Sequence, residues 1–206
     1  MHPDAYLSCS VEGRAELKEK GSRFLALALP AASEEDAARL REHLRQLHPE
    51  ASHHCWAQRL GPAAALLERH SDDGEPAGSA GPPIARAIQG SGLSDVLVVV
   101  TRWFGGTKLG VGGLIRAYGD VARAALAASA GEERLAMLRL SGRGPYDLEG
   151  KLRSLVEGRR GRILEARHGA EGVDWRLELP KSAAEEVRRT MLDLSRGRFI
   201  LDHEES

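Results

Sequence analysis

Cysteine is scarce: Cys9 and Cys55 are the only two in 206 residues. Two thiols are too few for a disulfide framework or a four-cysteine zinc site, so a reduced, cytoplasmic setting is the expectation. Long apolar runs are missing as well. The longest strongly apolar run, Val96–Val100, falls far short of the roughly 20 residues that a membrane-spanning helix needs, and no membrane partner is expected. Met1-His2-Pro3-Asp4 has neither the basic nor the apolar part of a signal peptide, so none is expected. An excess of one sign of charge is also absent. Lys plus Arg number 29 against 30 Asp plus Glu, which leaves no global field to draw the chain onto nucleic acid or anionic lipid. Contact with nucleic acid would have to come from a local patch.

What is present is an ordinary globular balance, with 42% hydrophobic residues. Strands are predicted over 6–11 and 23–29, the second ended by Pro30. A helix follows, capped by Ser33, with Ala37, Leu40, Leu44 and Leu47 on one face and Arg41 and Arg45 on a wet one. Further strands are expected over 51–59 and 66–70, then a structured loop over 71–83 and a short helix over 84–88. The continuous apolar run of 95–101 reads as a strand covered on both faces. The long helix ending near Ala128 carries Leu114, Tyr118, Val121, Ala125 and Ala128 on one side and Arg116, Asp120 and Arg123 on another.

From Leu135 the order becomes βαββαβ. Its helices span 147–156, with Leu148, Leu152 and Leu155 inward, and 182–194, with Ala184, Val187, Met191 and Leu194 inward. Between them Val173, Trp175, Leu177 and Leu179 alternate with Asp174, Arg176 and Glu178 on a wet face. This is the ferredoxin-like plan. The expectation is an α+β chain of two domains, 1–133 and 134–206, with Gly131–Arg134 as the boundary.

Four segments could carry chemistry. In the first, Asp72, Asp73 and Glu75 place three carboxylates within four residues, and such charges need a metal, basic partners or solvent. Asx-turns account for the same residues structurally. The second runs from Arg102 to Leu114 and contains Gly105, Gly106, Gly110, Gly112 and Gly113. Glycines between a buried strand and a helix expose amides to an anion, complemented by Arg102, Lys108 and Arg116, or they simply allow a tight crossover. It is neither a P-loop nor a dinucleotide fingerprint, since no Lys-Ser or Lys-Thr follows Gly110 and Ile115 stands where a third glycine belongs.

The third, His53-His54-Cys55-Trp56, alternates along a strand, so the four cannot converge on one metal and packing is the better reading. The fourth is a basic scatter, Arg153, Arg159, Arg160, Arg188 and Arg189 among them. It tracks a phosphate backbone only if one face gathers it, and interspersed glutamates with no aromatic ladder favour solvated ion pairs. No metal set and no cofactor motif is complete, and catalysis is not expected.

These residues resemble the YigZ/IMPACT family. The resemblance rests on Lys20-Gly21-Ser22-Arg23-Phe24, His53-His54-Cys55, Ser71-Asp72-Asp73-Gly74-Glu75-Pro76 with Gly78-Ser79-Ala80-Gly81-Pro82-Pro83, and Arg102-Trp103-Phe104-Gly105-Gly106 with Leu109-Gly110-Val111-Gly112-Gly113-Leu114. Ser79 departs from the family pattern, which usually carries threonine there. The resemblance implies a two-layer α/β first domain with the fold of the second domain of a small-subunit ribosomal protein, also used in elongation factor G. It implies a ferredoxin-like second domain similar to the last domain of that factor. Eukaryotic relatives regulate translation initiation, but they lack this second domain and carry a different partner module, so their role does not carry over unchanged. A translation-associated binding role toward RNA, ribosome or translation factor is therefore expected. The alternatives are a magnesium-dependent or phosphate-binding enzyme, and a protein–protein module built on Trp103 and Phe104.

Overall fold

The computed structural model describes residues 2–203; Met1 and residues 204–206 lie outside the described residues. Two compact units result, one of Tyr6–Arg134 and one of residues 135–203 with residues 2–5.

The first unit is built from β1 (Ala5–Val11), β2 (Gly13–Glu19), β3 (Ser22–Pro30), α1 (Glu34–Leu47), β4 (His53–Leu60), β5 (Leu67–Ser71), α2 (Gly81–Ser91), β6 (Leu93–Ser94), β7 (Val96–Trp103), α3 (Val111–Ala128) and β8 (Ala130–Leu135). Five strands form an antiparallel sheet in the order β2-β3-β7-β4-β5, and β6-β1-β8 form a smaller one. β7 lies at the centre, and its alternation explains its composition. Val96, Val98 and Val100 join the core beneath α2 and α3, while Leu97 and Val99 join a second core with Ala37 and Leu44 of α1. Both faces are covered, so neither can be polar. The α2–α3 layer is the expected one, and α1 adds a partial layer opposite.

Some local readings need correction. The strand β2 was not anticipated, because two of its three inward positions, Gly13 and Ala15, are small: α3 lies so close to Gly13 that a Cβ there would come 2.0 Å from the Ala125 carbonyl oxygen. The short helix over 84–88 is the eleven-residue α2, which starts at Gly81 and takes Pro82 and Pro83 into its first turn, where no N–H is needed. Leu47 and Leu194, expected inward, are exposed, as is Ala128, each in the last turn of its helix. Arg41 is not wet: it donates to Gln58 Oε1 at 2.7 Å and its guanidinium lies 4.0 Å from the centre of the Trp56 ring.

The second unit contains β9 (Met137–Gly144), α4 (Glu149–Gly158), β10 (Arg162–Gly169), β11 (Gly172–Pro180), α5 (Lys181–Leu194) and β12 (Ile200–His203). The antiparallel order β10-β11-β9-β12 is that of the ferredoxin-like plan. Leu152 and Val156 of α4 and Val187 and Met191 of α5 meet Val173, Trp175, Leu177 and Leu179 in one core. Glu178, expected in water, is 8% exposed. Arg162 at 2.5 Å and Arg139 at 3.5 Å cover it from the neighbouring strands. Residues 2–5 belong here because the Asp4 carboxylate accepts from the Ser182 N–H at 2.8 Å and hydroxyl at 2.6 Å, at the start of α5. The Asp4 carbonyl accepts from Ala136 N–H at 2.8 Å. A carboxylate at a helix N-terminus satisfies orphan amides and complements the dipole.

Candidate functional site

The acidic loop is held by its own carboxylates, each pointing a different way. Asp72 accepts from the N–H groups of Gly78 at 2.8 Å and of Ala80 and Gly81 at 2.9 Å, which makes it the cap of α2. Burial alone would raise its pKa, but these three amides outweigh burial and hold the carboxyl below its ordinary value. Asp73, at φ 44°, accepts from His54 N–H at 2.6 Å and Arg45 at 3.0 Å, while its carbonyl lies 2.8 Å from His53 Nδ1. Its carboxyl is likewise lowered, the His54 amide and Arg45 prevailing over burial. Glu75 turns inward and is 8% exposed. One of its oxygens accepts from Arg102 and from the Tyr118 hydroxyl, both at 2.6 Å.

Arg102 is thereby removed from the surface. It is 5% exposed, donates to Ser22 Oγ at 3.1 Å, and lies between the rings of Phe24 and Phe104, 5.4 and 5.5 Å from their centres. The expectation that Arg102 meets an anion is corrected here: its charge is committed to Glu75. The same contact joins the acidic loop to the glycine loop through a buried ion pair, not across an open cleft. Among the described residues, no three His, Cys, Asp or Glu side chains gather as a metal-binding group. The carboxylates proposed to hold magnesium are spent on amides and arginines instead.

Tyr118, read from sequence only as a core residue, closes this cluster. Its ring stands edge-on to Phe24 at 5.2 Å and its oxygen lies 3.4 Å from Cys55 Sγ, which also sits 2.9 Å from the Asp72 carbonyl oxygen. Burial pushes the Cys55 thiol up to about 12, so it is no nucleophile. Burial, with Cys55 and Glu75 beside it, also drives the Tyr118 hydroxyl well above its ordinary range. His53 points toward the cluster, its Nε2 3.9 Å from Glu75, whereas His54 lies on the α1 side of the strand against Thr101. Burial, more than the nearby Arg45, lowers the His54 pKa from its ordinary value.

Above this buried base the glycine loop is open. Two hydroxyls to which the sequence assigns no role anchor its start: Ser22 accepts from Gly105 N–H at 3.2 Å and Ser52 from Phe104 N–H at 3.1 Å. Gly105 lies against Gly21, where a Cβ would come 1.9 Å from the Gly21 carbonyl carbon. Only glycine permits that approach. Gly106 and Gly110 take positive φ, 88° and 75°. Gly106, Lys108, Gly110, Gly112 and Arg116 are exposed and Gly113 is half-buried. No side chain caps α3 at Gly110 and its first turn carries no acid. Lys108 and Arg116 make no ion pair among the described residues. Beside them Phe104 is 49% exposed, while Trp103 is half-buried, bonded to Glu50 at 2.9 Å and covered by Arg23.

The basic scatter of the second unit does not form a track of free charge. Arg153 meets Glu149 at 3.5 Å, Arg159 bonds Glu186 with its Nε at 2.9 Å, and Arg188 bonds Glu185 at 2.9 Å. Arg160 and Arg189 are exposed.

The Impact N-terminal domain model matches residues 20–126 and so spans every residue of the buried cluster and the glycine loop. The chain belongs to the IMPACT family. A second model, a domain of unknown function (DUF1949), matches residues 145–198. An IMPACT family member from Thermus thermophilus is 43% identical over 184 residues, covering 88% of this chain and 97% of that one. The IMPACT family member YigZ of Escherichia coli is 34% identical over 183 residues, covering 88% and 89%. A crystal structure of a hypothetical protein superposes with a TM-score of 0.74 at 31% identity, over 98% of both chains. This IMPACT family chain has no helix among its described residues long and apolar enough to cross a membrane.

Proposed function

We propose that this chain is a non-catalytic, translation-associated binding protein whose glycine loop takes the phosphate backbone of RNA, most directly that of the ribosome. One observation carries the reading: the uncapped start of α3, whose glycines keep side chains off the amides, is flanked by the exposed Lys108 and Arg116, which have no ion-pair partner among the described residues. Amides and cations together are the usual means of contacting phosphate without reading bases. The buried Arg102–Glu75–Tyr118 cluster acts as the rigid base that fixes the loop.

The test is co-sedimentation with ribosomes across a salt series. Wild-type protein should pellet at low salt and be released as salt rises. Replacing both Lys108 and Arg116 by Ala should weaken retention and lower the salt slope by about 2, at roughly 0.9 per phosphate contact. Absence of wild-type retention at low salt would remove this reading. The exposed ring of Phe104 supports a second one, a protein factor bound through an apolar contact. Retention that survives nuclease and high salt but is lost in Phe104→Ala would favour it.

A further inference from the structure

A cleft of about 650 Å³ opens in the first unit between α2, the second half of α3 and the small sheet β6-β1-β8. This volume is in the range of small-molecule sites, roughly 300–1,000 Å³. It owes nothing to the glycine loop, since none of that loop's residues lines it.

Its floor is apolar, formed by Leu93 and Leu126 with Leu7, which stays 42% exposed. The floor is uncovered because position 131 is glycine: a Cβ there would come 2.7 Å from the Leu93 side chain and 2.8 Å from that of Leu7. Any larger residue would push both leucines into the space. At the rim stand two cations, Arg86 and Arg123, and no carboxylate lines the cleft among the described residues. Arg123 shares its charge with Asp120, one turn before it, whereas Arg86 makes no ion pair among the described residues.

From this pairing of an apolar floor with an all-cationic rim, we infer that the cleft binds a small amphipathic acid, its apolar body on Leu7, Leu93 and Leu126 and its anionic head at Arg86 and Arg123. Apolar burial supplies affinity, and the guanidinium groups select the charge of the head. A neutral molecule of the same length gains only the first, and a cationic one is repelled.

Decanoate, decyl phosphate, decanol and decyltrimethylammonium serve as probes, titrated below their micelle concentrations into ¹⁵N-labelled full-length protein. Decanoate and decyl phosphate should shift amides of 86–93 and 123–131 saturably and at least tenfold more tightly than decanol, with no saturable effect of the cation. Changing Arg86 and Arg123 together to Glu should abolish the preference for the acids. Ala127→Trp, at an exposed position on the cleft wall, should block all binding while leaving the folded spectrum intact. Lys108→Ala should change nothing, which separates this site from the proposed ribosome contact. Equal affinity for decanoate and decanol, or undiminished binding in Ala127→Trp, overturns the inference. So does a lack of binding by either acid, the result expected if the cleft instead receives a protein side chain.

Discussion

Arg102 and Glu75, 27 residues apart in the chain, meet at 2.6 Å with 6% and 3% of their side chains exposed. A pair this deep has already given up its hydration, so removing one partner leaves a charge with nothing to answer it. Arg102→Met should cost about 3–5 kcal/mol in urea denaturation. The double change with Glu75→Gln should cost less than the sum of the two singles. A loss under about 1 kcal/mol would mean that solvent reaches Glu75.

Both cysteines should be silent toward thiol reagents in the folded protein. Cys9 and Cys55 are 2% and 0% exposed, and burial raises both thiols, Cys55 to about 12. At pH 8 the reaction with a disulfide reagent should follow the rate of opening and become fast in denaturant. A rapid reaction of either thiol in buffer would contradict the packing described for it.

Two glycines of one loop should respond in opposite ways. Gly105→Ala drives a Cβ into the Gly21 backbone and should destabilise by about 1–3 kcal/mol or more. At Gly112, in the exposed first turn of α3, the nearest atom to an added Cβ is the flexible end of Arg116 at 3.8 Å. Gly112→Ala should therefore stabilise by about 0.5–1 kcal/mol. If amides there approach phosphate, the same variant should pellet less with ribosomes. A variant both stabler and fully retained would place the contact elsewhere.

Acid should loosen the first unit through Asp72 and Asp73. Their folded-state carboxyls lie below the ordinary value of 3.8. The stability they contribute is thus complete above that value and is lost as pH falls through the lowered ones. Thermal melts from pH 6 downward should show Tm falling most steeply below about pH 4. Asp72→Asn should lower Tm at neutral pH and flatten that fall.

The fold was legible where pattern and burial coincide. The unbroken apolar run of β7, the Ser33 cap and the alternation of Val173 to Leu179 each reflect an element that buries one or both faces, and each element is present. What escaped was contact made by small or polar residues across long separations. β2 hides its inward face behind Gly13 and Ala15, and Ser22 and Ser52 carry no pattern announcing that they hold Phe104 and Gly105. Charge was the least legible property. Asp72, Glu75 and Arg102 look like surface chemistry until geometry assigns each an internal partner, whereas Lys108 and Arg116 are distinguished only by having none among the described residues.

The grip of Asp4 on the start of α5 bears on how the chain is made. Asp4 must wait for its partner until Ser182, 178 positions later, has been made, and the intervening unit can close before the two meet. A fragment that starts at 135 therefore lacks the carboxylate that secures its own last helix. Its melting temperature should recover when a peptide of residues 1–5 is restored in cis rather than added in solution, because tethering makes the contact an intramolecular one.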